Sequence, residues 1–187
     1  MSVRIVGGSL KGRVLDTPPG RGTRPTGARA REAMFAILGS VDGERVLDLY
    51  AGSGALGIEA LSRGAAQAVF VENDRRALAC IRRNVERLGL GDRAGVLGVG
   101  AEAAASVLAS KAPFDLVLCD PPWSALDRAT RALSTLLPLF AEGARVVIEH
   151  PAGAAPSIPG LLAVDVRRWG DTGATFLERH ADPLAEP

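Results

Sequence analysis

The segment Val46-Leu47-Asp48-Leu49-Tyr50-Ala51-Gly52-Ser53-Gly54-Ala55-Leu56-Gly57 constrains the fold of this chain more than any other. A short apolar run ends at a carboxylate and breaks into glycines, and a helix-forming stretch, Ile58-Glu59-Ala60-Leu61, follows. That order reads as a buried parallel strand, a tight turn and the N-terminus of a helix. Gly52 and Gly54 have no Cβ, so the backbone of such a turn lets a ligand come close.

The remainder from Arg45 repeats the same alternation. Strands are predicted at 45–50, 67–72, 94–99, 114–119 and 144–149, and helices at 55–63, 74–88, 101–110 and 126–141, with Pro138 kinking or ending the last. Alternating strands and helices imply βαβ units and a parallel sheet with helices on both faces. Leu161–Trp169 and Thr175–His180 flank the turn signature Gly170-Asp171-Thr172-Gly173, so the sheet is expected to close with an antiparallel pair. Ahead of this domain, Arg4-Ile5-Val6 and Arg13-Val14-Leu15 read as a hairpin, 16–27 as a loop, and Ala28–Leu38 as a helix that Thr26 could cap. The chain therefore divides into an N-terminal extension, 1–43, and a main domain, 44–187.

Composition narrows the setting. At 47% hydrophobic and 23% charged residues the chain is globular. No apolar run approaches the roughly 18 residues that would span a bilayer, and the N-terminus has no signal-peptide core. Cys80 and Cys119 are too few for a disulfide framework or a zinc site, so a cytosolic setting is expected. Charge is uneven: residues 1–35 hold seven Lys/Arg against Asp16 and Glu32, a balance of +5, whereas the rest holds 15 basic and 19 acidic residues, a balance of −4. A basic arm on a near-neutral body suits contact with a polyanion.

Three constellations carry chemistry. Gly52-x-Gly54-x-x-Gly57 satisfies the dinucleotide fingerprint, which keeps a nicotinamide or flavin enzyme in view. Asp48, four residues before Gly52, argues against it, since a pyrophosphate would be repelled there. The zwitterionic methionine part of S-adenosylmethionine would not. Glu72 ends the next strand, 24 residues after Asp48, where a carboxylate can accept both hydroxyls of an adenosine ribose. Asp120-Pro121-Pro122-Trp123 follows the apolar strand 114–119. A base amine is a poor nucleophile because its lone pair is delocalised into the ring. Hydrogen bonds from it to Asp120 and the Pro121 carbonyl would localise that pair, and Trp123 would stack on the base. No metal is needed, because the sulfonium leaving group is already activated. Cys119 and Cys80 read as core filler, His150 as an ordinary loop histidine and Trp169 as a packing residue.

These motifs resemble the class I S-adenosylmethionine-dependent methyltransferases and, more narrowly, the bacterial RsmD family, which methylates a guanine N2 of 16S ribosomal RNA. The resemblance runs through Arg4-Ile5-Val6-Gly7-Gly8, Lys11-Gly12-Arg13, Arg24-Pro25-Thr26, Arg29-Ala30-Arg31-Glu32, the glycine turn, Glu59–Ala65, Glu72, Asn84, Asp120-Pro121-Pro122 and Trp169-Gly170-Asp171-Thr172. It implies a Rossmann-like, mostly parallel seven-stranded sheet with an antiparallel C-terminal hairpin and a small N-terminal hairpin and helix. It implies S-adenosylmethionine bound by Asp48, Ala51, Gly52, Ser53, Gly54, Ala55, Leu56, Gly57, Glu72, Asn73, Ala101 and Glu102, and catalysis by Asp120, Pro121, Pro122 and Trp123. RNA contacts fall to Arg4, Lys11, Arg13, Arg24, Thr26, Arg29 and Arg31. The expected partner is 16S ribosomal RNA or a partly assembled small subunit, and the expected state is a monomer away from membranes. Two departures stand out. Trp123 replaces the usual Tyr or Phe, and Gly100-Ala101 stands where an acid would read the adenine amine, a task left to Glu102 or a backbone carbonyl. The same loop also suits adenine N6 in DNA or a protein glutamine, and a non-catalytic RNA-binding assembly factor would keep the same fold.

Overall fold

The computed structural model describes residues 3–19 and 27–180. Seven strands form the main sheet: β3 (Arg45–Leu49), β4 (Gln67–Val71), β5 (Ala94–Leu97), β6 (Phe114–Cys119), β7 (Phe140–Pro151), β8 (Leu161–Trp169) and β9 (Thr172–Arg179), in the order β5-β4-β3-β6-β7-β9-β8. The first five pair in parallel, and β9 pairs antiparallel with both β7 and β8. The seven-stranded class I arrangement expected from the sequence is the one observed.

The strands are apolar on both sides because both faces are covered. Val46, Ala68, Phe70, Leu116, Leu118 and Val147 pack with α1 (Ala28–Leu38), α2 (Ala55–Ser62) and α3 (Arg75–Arg87). Leu47, Leu49, Val69, Val71, Val117 and Ile148 pack on the other face with α4 (Ala105–Leu108) and α5 (Leu126–Leu136). Helix α3 shows how local pattern sets a helix: the Asp74 carboxylate caps it, accepting from the Arg76 and Ala77 N–H groups. Ala77, Leu78, Ile81, Asn84 and Val85 then recur at helical spacing on its buried side.

The N-terminal extension packs onto the first of these faces. Strands β1 (Val3–Arg4) and β2 (Val14–Leu15) are only two residues each, shorter than the three-residue runs read from the sequence. Val3, Ile5, Leu15, Met34, Phe35 and Leu38 belong to the same apolar cluster as α2 and the sheet. Buried Glu59 of α2 accepts the Val6 N–H at 2.8 Å, and Ser62 donates to the Gly7 carbonyl at 2.6 Å and accepts the Leu10 N–H at 2.9 Å. A side chain at Gly8 would run into the Ser62 carbonyl.

Elsewhere the boundaries differ from the sequence reading for identifiable reasons. The predicted helix at 101–110 is broken into 3-10 turns at Ala101–Ala103 and Ala109–Lys111 around the single α turn of α4. Its Ala-rich face buries only Ala101, Ala104 and Leu108, and no side chain caps it, so nucleation is barely compensated. The last helix stops at Leu136 and a 3-10 turn holds Pro138, after which β7 begins at Phe140 rather than 144. Gly143, with φ 70°, hides that early start: β7 continues past it, with a register shift against β6. In the C-terminal hairpin Trp169 pairs with Thr172, so the turn is Gly170-Asp171 alone. Gly173 is a strand residue, and it is glycine because the His150 ring occupies the space its Cβ would take.

Candidate active site at the carboxyl ends of the strands

The three constellations meet at one level of the sheet. Leu49 is in register with Val71 on one side and Cys119 on the other. Beyond that row the ladder continues through Ala51 N–H to the Val71 carbonyl at 3.2 Å and Asp120 N–H to the Leu49 carbonyl at 3.4 Å. The chain runs outward from β3 to β4 and β5, then returns to place β6 on the other side of β3. Such a reversal opens a crevice at the carboxyl ends of the strands.

The three glycines of the turn serve different purposes. Tyr50 at φ 57°, Gly52 at φ 58° and Gly54 at φ 80° turn the chain through left-handed conformations, and Ile58 N–H reaches the Gly54 carbonyl to start α2. Within 4 Å, a Cβ on Gly52 would meet only the Tyr50 carbonyl, at 3.9 Å, so the backbone there is bare to a ligand. At Gly57 a Cβ would strike the Phe70 ring and lie 3.0 Å from Asp48 Oδ2, so this glycine lets α2 close on the sheet. Ala51 and Leu56 are buried, and Ser53 and Ala55 are half-buried.

Asp48 is 1% exposed, and Oδ2 accepts the Gly57 N–H at 2.9 Å. Burial pushes its carboxyl well above the usual range; the Gly57 bond opposes this, and the negative charges of Asp120 and Glu72 reinforce it. No ion pair to Asp48 is formed among the described residues. Glu72 is also buried. Its oxygens accept backbone N–H groups of Gly52, Asn73 and Asp74, each at 2.9 Å. Glu72 therefore braces the turn through both of its oxygens.

Asn73 and Glu102 converge over Gly100, whose added Cβ would lie 3.9 Å from Asn73 Nδ2 and 3.1 Å from Glu102 Oε2. Tyr50 donates to Glu102 Oε1 at 3.4 Å, and Arg128 Nε stands 4.0 Å from the same oxygen. Burial, then Glu102, push the Tyr50 hydroxyl upward, so it stays a donor. Ala101 is buried beneath them.

In the Asp120 loop, Pro121 is buried and Pro122 and Trp123 are exposed, Trp123 by 54%. The Pro122 carbonyl accepts the Ala125 N–H at 2.7 Å. Among the described residues nothing donates to the Pro121 carbonyl. Cys119, buried beneath, has its thiol pushed up by burial and then by Asp120, as suits an inert filler. His150 is not a loop residue: it lies in β7, buried, 2.9 Å from Thr175 Oγ1 through Nε2.

The arm divides. Arg4, Lys11, Arg13 and Arg29 are exposed. Arg31 is 2% exposed, and its guanidinium donates to the Arg4 carbonyl with Glu59 and Glu149 nearby. This corrects its assignment to the RNA face: helix α1 turns Arg31 inward, where it pins the extension. Arg24 and Thr26 lie outside the described residues. Asn84, seen in the sequence only as part of a motif, is fully buried and joins the arm to the glycine turn. It accepts the Asp16 N–H at 2.8 Å and donates to the Asp16 and Ser53 carbonyls at 3.0 Å. A lone Asn on the apolar side of an amphipathic helix was the available signal.

Comparison with known proteins supplies the lineage. The family model described as Conserved hypothetical protein 95 matches residues 3–178. The YlbH protein of Bacillus subtilis is 39% identical over 184 residues, covering 95% of this chain and 99% of that protein. Ribosomal RNA small subunit methyltransferase D of Escherichia coli K12 is 43% identical over 123 residues, covering 65% and 60%. Among solved structures, the yhhF protein of Escherichia coli has a TM-score of 0.81 at 33% identity, covering 97% of this chain and 99% of that one. An RNA methyltransferase of Salinibacter ruber solved with S-adenosyl-L-homocysteine shares the fold, with a TM-score of 0.66 at 17% identity over 87% and 97% of the two chains. With the family match spanning nearly all of the described chain, the protein belongs to the Conserved hypothetical protein 95 family, that of the RsmD-type methyltransferases.

Proposed function

We propose that this protein methylates ribosomal RNA, transferring a methyl group from S-adenosylmethionine to the exocyclic N2 amine of a guanine in the 16S RNA of the small ribosomal subunit. The observation that carries the reading is the convergence of the bare Gly52 turn, Asp48, Glu72 and Asp120-Pro121-Pro122-Trp123 at adjacent strand ends on either side of β3. Acids and a bare backbone line the seat. That donor set fits a ligand with an ammonium group and hydroxyls, and does not fit a pyrophosphate. When bound, S-adenosylmethionine supplies an electrophilic methyl on a sulfonium.

The protein's own groups bind and orient. Asp48 is the carboxyl that the ligand's ammonium group would ionise and pair with. Glu72 fixes the Gly52 backbone and offers its carboxylate to the ribose hydroxyls. Glu102, over Gly100, with Asn73 forms the side toward the base and takes the place of the missing acid. The Asp120 carboxylate and the Pro121 carbonyl accept the two N–H bonds of the target amine, which holds its lone pair toward the methyl donor and stabilises positive charge as it develops. The exposed Trp123 ring stacks on the extruded base. Arg4, Lys11, Arg13 and Arg29, with Arg24 and Thr26, hold the RNA backbone.

Methyl incorporation into naked 16S RNA, assembled small subunits and duplex DNA tests the reading, with the labelled nucleotide mapped by mass spectrometry. N2-methylguanine in the RNA is expected. Labelling of DNA alone, or methyl on another atom, overturns it.

A further inference from the structure

Helix α3 carries Arg75, Arg76, Arg82, Arg83 and Arg87 within 13 residues, all exposed, against Glu86 as its one exposed acid. Arg83 and Arg87 lean on Asp16 beyond the hairpin, at 3.3 and 3.6 Å, and Arg87 also donates to the Val14 carbonyl. This joins the helix to the strand that follows exposed Lys11 and Arg13. Arg75, Arg76 and Arg82 form no ion pair among the described residues.

The placement works against the helix. Arg83 and Arg87 are like charges one turn apart, a destabilising spacing. Arg75 and Arg76 are the first two helical residues, where the positive end of the helix dipole disfavours cations, and no acid stands in that first turn. Helices α1 and α2 also lack an acid in the first turn and α5 has Asp127 there, but α3 alone of these opens on two arginines. A face selected only for solubility has no reason to carry arginine where the dipole asks for glutamate. Departures of this kind mark sites kept for another purpose. Arg75 stands three residues past Glu72, so the ridge begins at the rim of the cofactor seat.

We propose that Arg75, Arg76 and Arg82 form a phosphate-contacting ridge that continues the Lys11–Arg13 surface and carries the RNA backbone past the rim of the cofactor seat. The inference rests on the RNA reading above. The contacts belong to the guanidinium groups, which pair with phosphate in a bidentate fork. The backbone amides at the start of the helix are already committed to Asp74.

The test is the triple variant R75E/R76E/R82E, measured for binding to in vitro transcribed 16S ribosomal RNA across a salt series, with K11E/R13E alongside. Affinity of R75E/R76E/R82E should fall by about tenfold or more, and the slope of log affinity against log salt should flatten by about two to three, near one unit for each phosphate no longer neutralised. Binding of S-adenosylhomocysteine should be unchanged, and the melting temperature close to that of the wild type, because acids at 75 and 76 suit the dipole while an acid at 82 stands one turn from Glu86. Lost RNA affinity at retained stability separates the loss of a phosphate partner from a damaged fold. The neutral variant R75Q/R76Q/R82Q should weaken RNA binding in the same direction, by less. If K11E/R13E weakens binding while both α3 variants match the wild type in affinity and slope, the ridge is wrong and the RNA reading stands. If the wild type binds no RNA, both fall.

Discussion

The two ends of the parallel sheet hold their charges in opposite states of completion. At the amino ends, Arg145 of β7 donates to the Leu38 and Ser40 carbonyls and to Glu44, and Asp115 of β6 accepts the Arg45 N–H at 2.8 Å. Arg45 in turn reaches the Lys111 and Pro113 carbonyls. Arg145, Glu44 and Asp115 line a groove of about 410 Å³, and among the buried side-chain atoms there only Glu44 Oε2 lacks a partner inside the chain, among the described residues. At the carboxyl ends, Asp48 and Glu72 sit beside Asp120, and neither Asp48 nor Glu72 meets a basic side chain among the described residues. The first set closes the sheet. The second is a buried acidic pair, held by backbone N–H groups, that a cationic ligand would complete.

The sharpest way to break this contrast is Asp120→Ala. Turnover should fall by about 10²- to 10⁴-fold, the range of a lost positioned acceptor, while S-adenosylhomocysteine affinity stays within about threefold. Single-turnover methylation and calorimetry read the two, and surviving turnover would remove Asp120 from its proposed role. Next in size is Arg145→Met at the far end. It strands carbonyls and Glu44, and should cost about 2–4 kcal/mol in urea denaturation, with turnover per folded molecule unchanged. A loss of cofactor affinity there would mean the two ends are not independent. Smaller again is Trp123→Ala, which should weaken RNA binding by about 1–2 kcal/mol, the worth of one stacked base, without moving the melting temperature. Trp123→Phe should recover most of that loss in the same binding assay.

Much of this was legible because the informative signals are local. The strand, Asp48 and glycines predict a turn that the backbone angles reproduce, and Asp120-Pro121-Pro122 marks its own strand end. What the sequence hid depends on contacts between distant segments. Gly173 looks like a turn residue until the His150 ring is seen filling its Cβ position. Arg31 counts as one more cation of a basic arm until α1 docks and turns it toward Glu59 and Glu149. Glu72 reads as a ribose acceptor, and its second task, bracing the turn, shows only in the fold, where three backbone donors reach it, one of them Gly52, 20 residues earlier. The early start of β7 is obscured by Gly143, because only pairing with β6 carries a strand across it.

The smallest expected effect is also the one that asks whether Asp48 is kept for a ligand. Burial holds the Asp48 carboxyl above its unfolded value. Between those two values the native state keeps a proton that the unfolded chain has released, so stability declines as pH rises through that window. Asp48→Asn removes the titration, and the Asn side-chain oxygen can still accept the Gly57 N–H. The variant should therefore lose the wild-type decline and melt slightly higher at neutral pH, while binding S-adenosylhomocysteine more weakly because the ammonium group has lost its counter-charge. Melting curves from pH 4 to 8 with calorimetry at pH 7 read both. A variant that melts higher and binds as well as the wild type would show that Asp48 serves only to fasten α2 to the sheet. One that keeps the full pH decline would place the titrating group elsewhere. Higher stability joined to weaker binding is the pattern of a charge kept for a ligand at the expense of the fold.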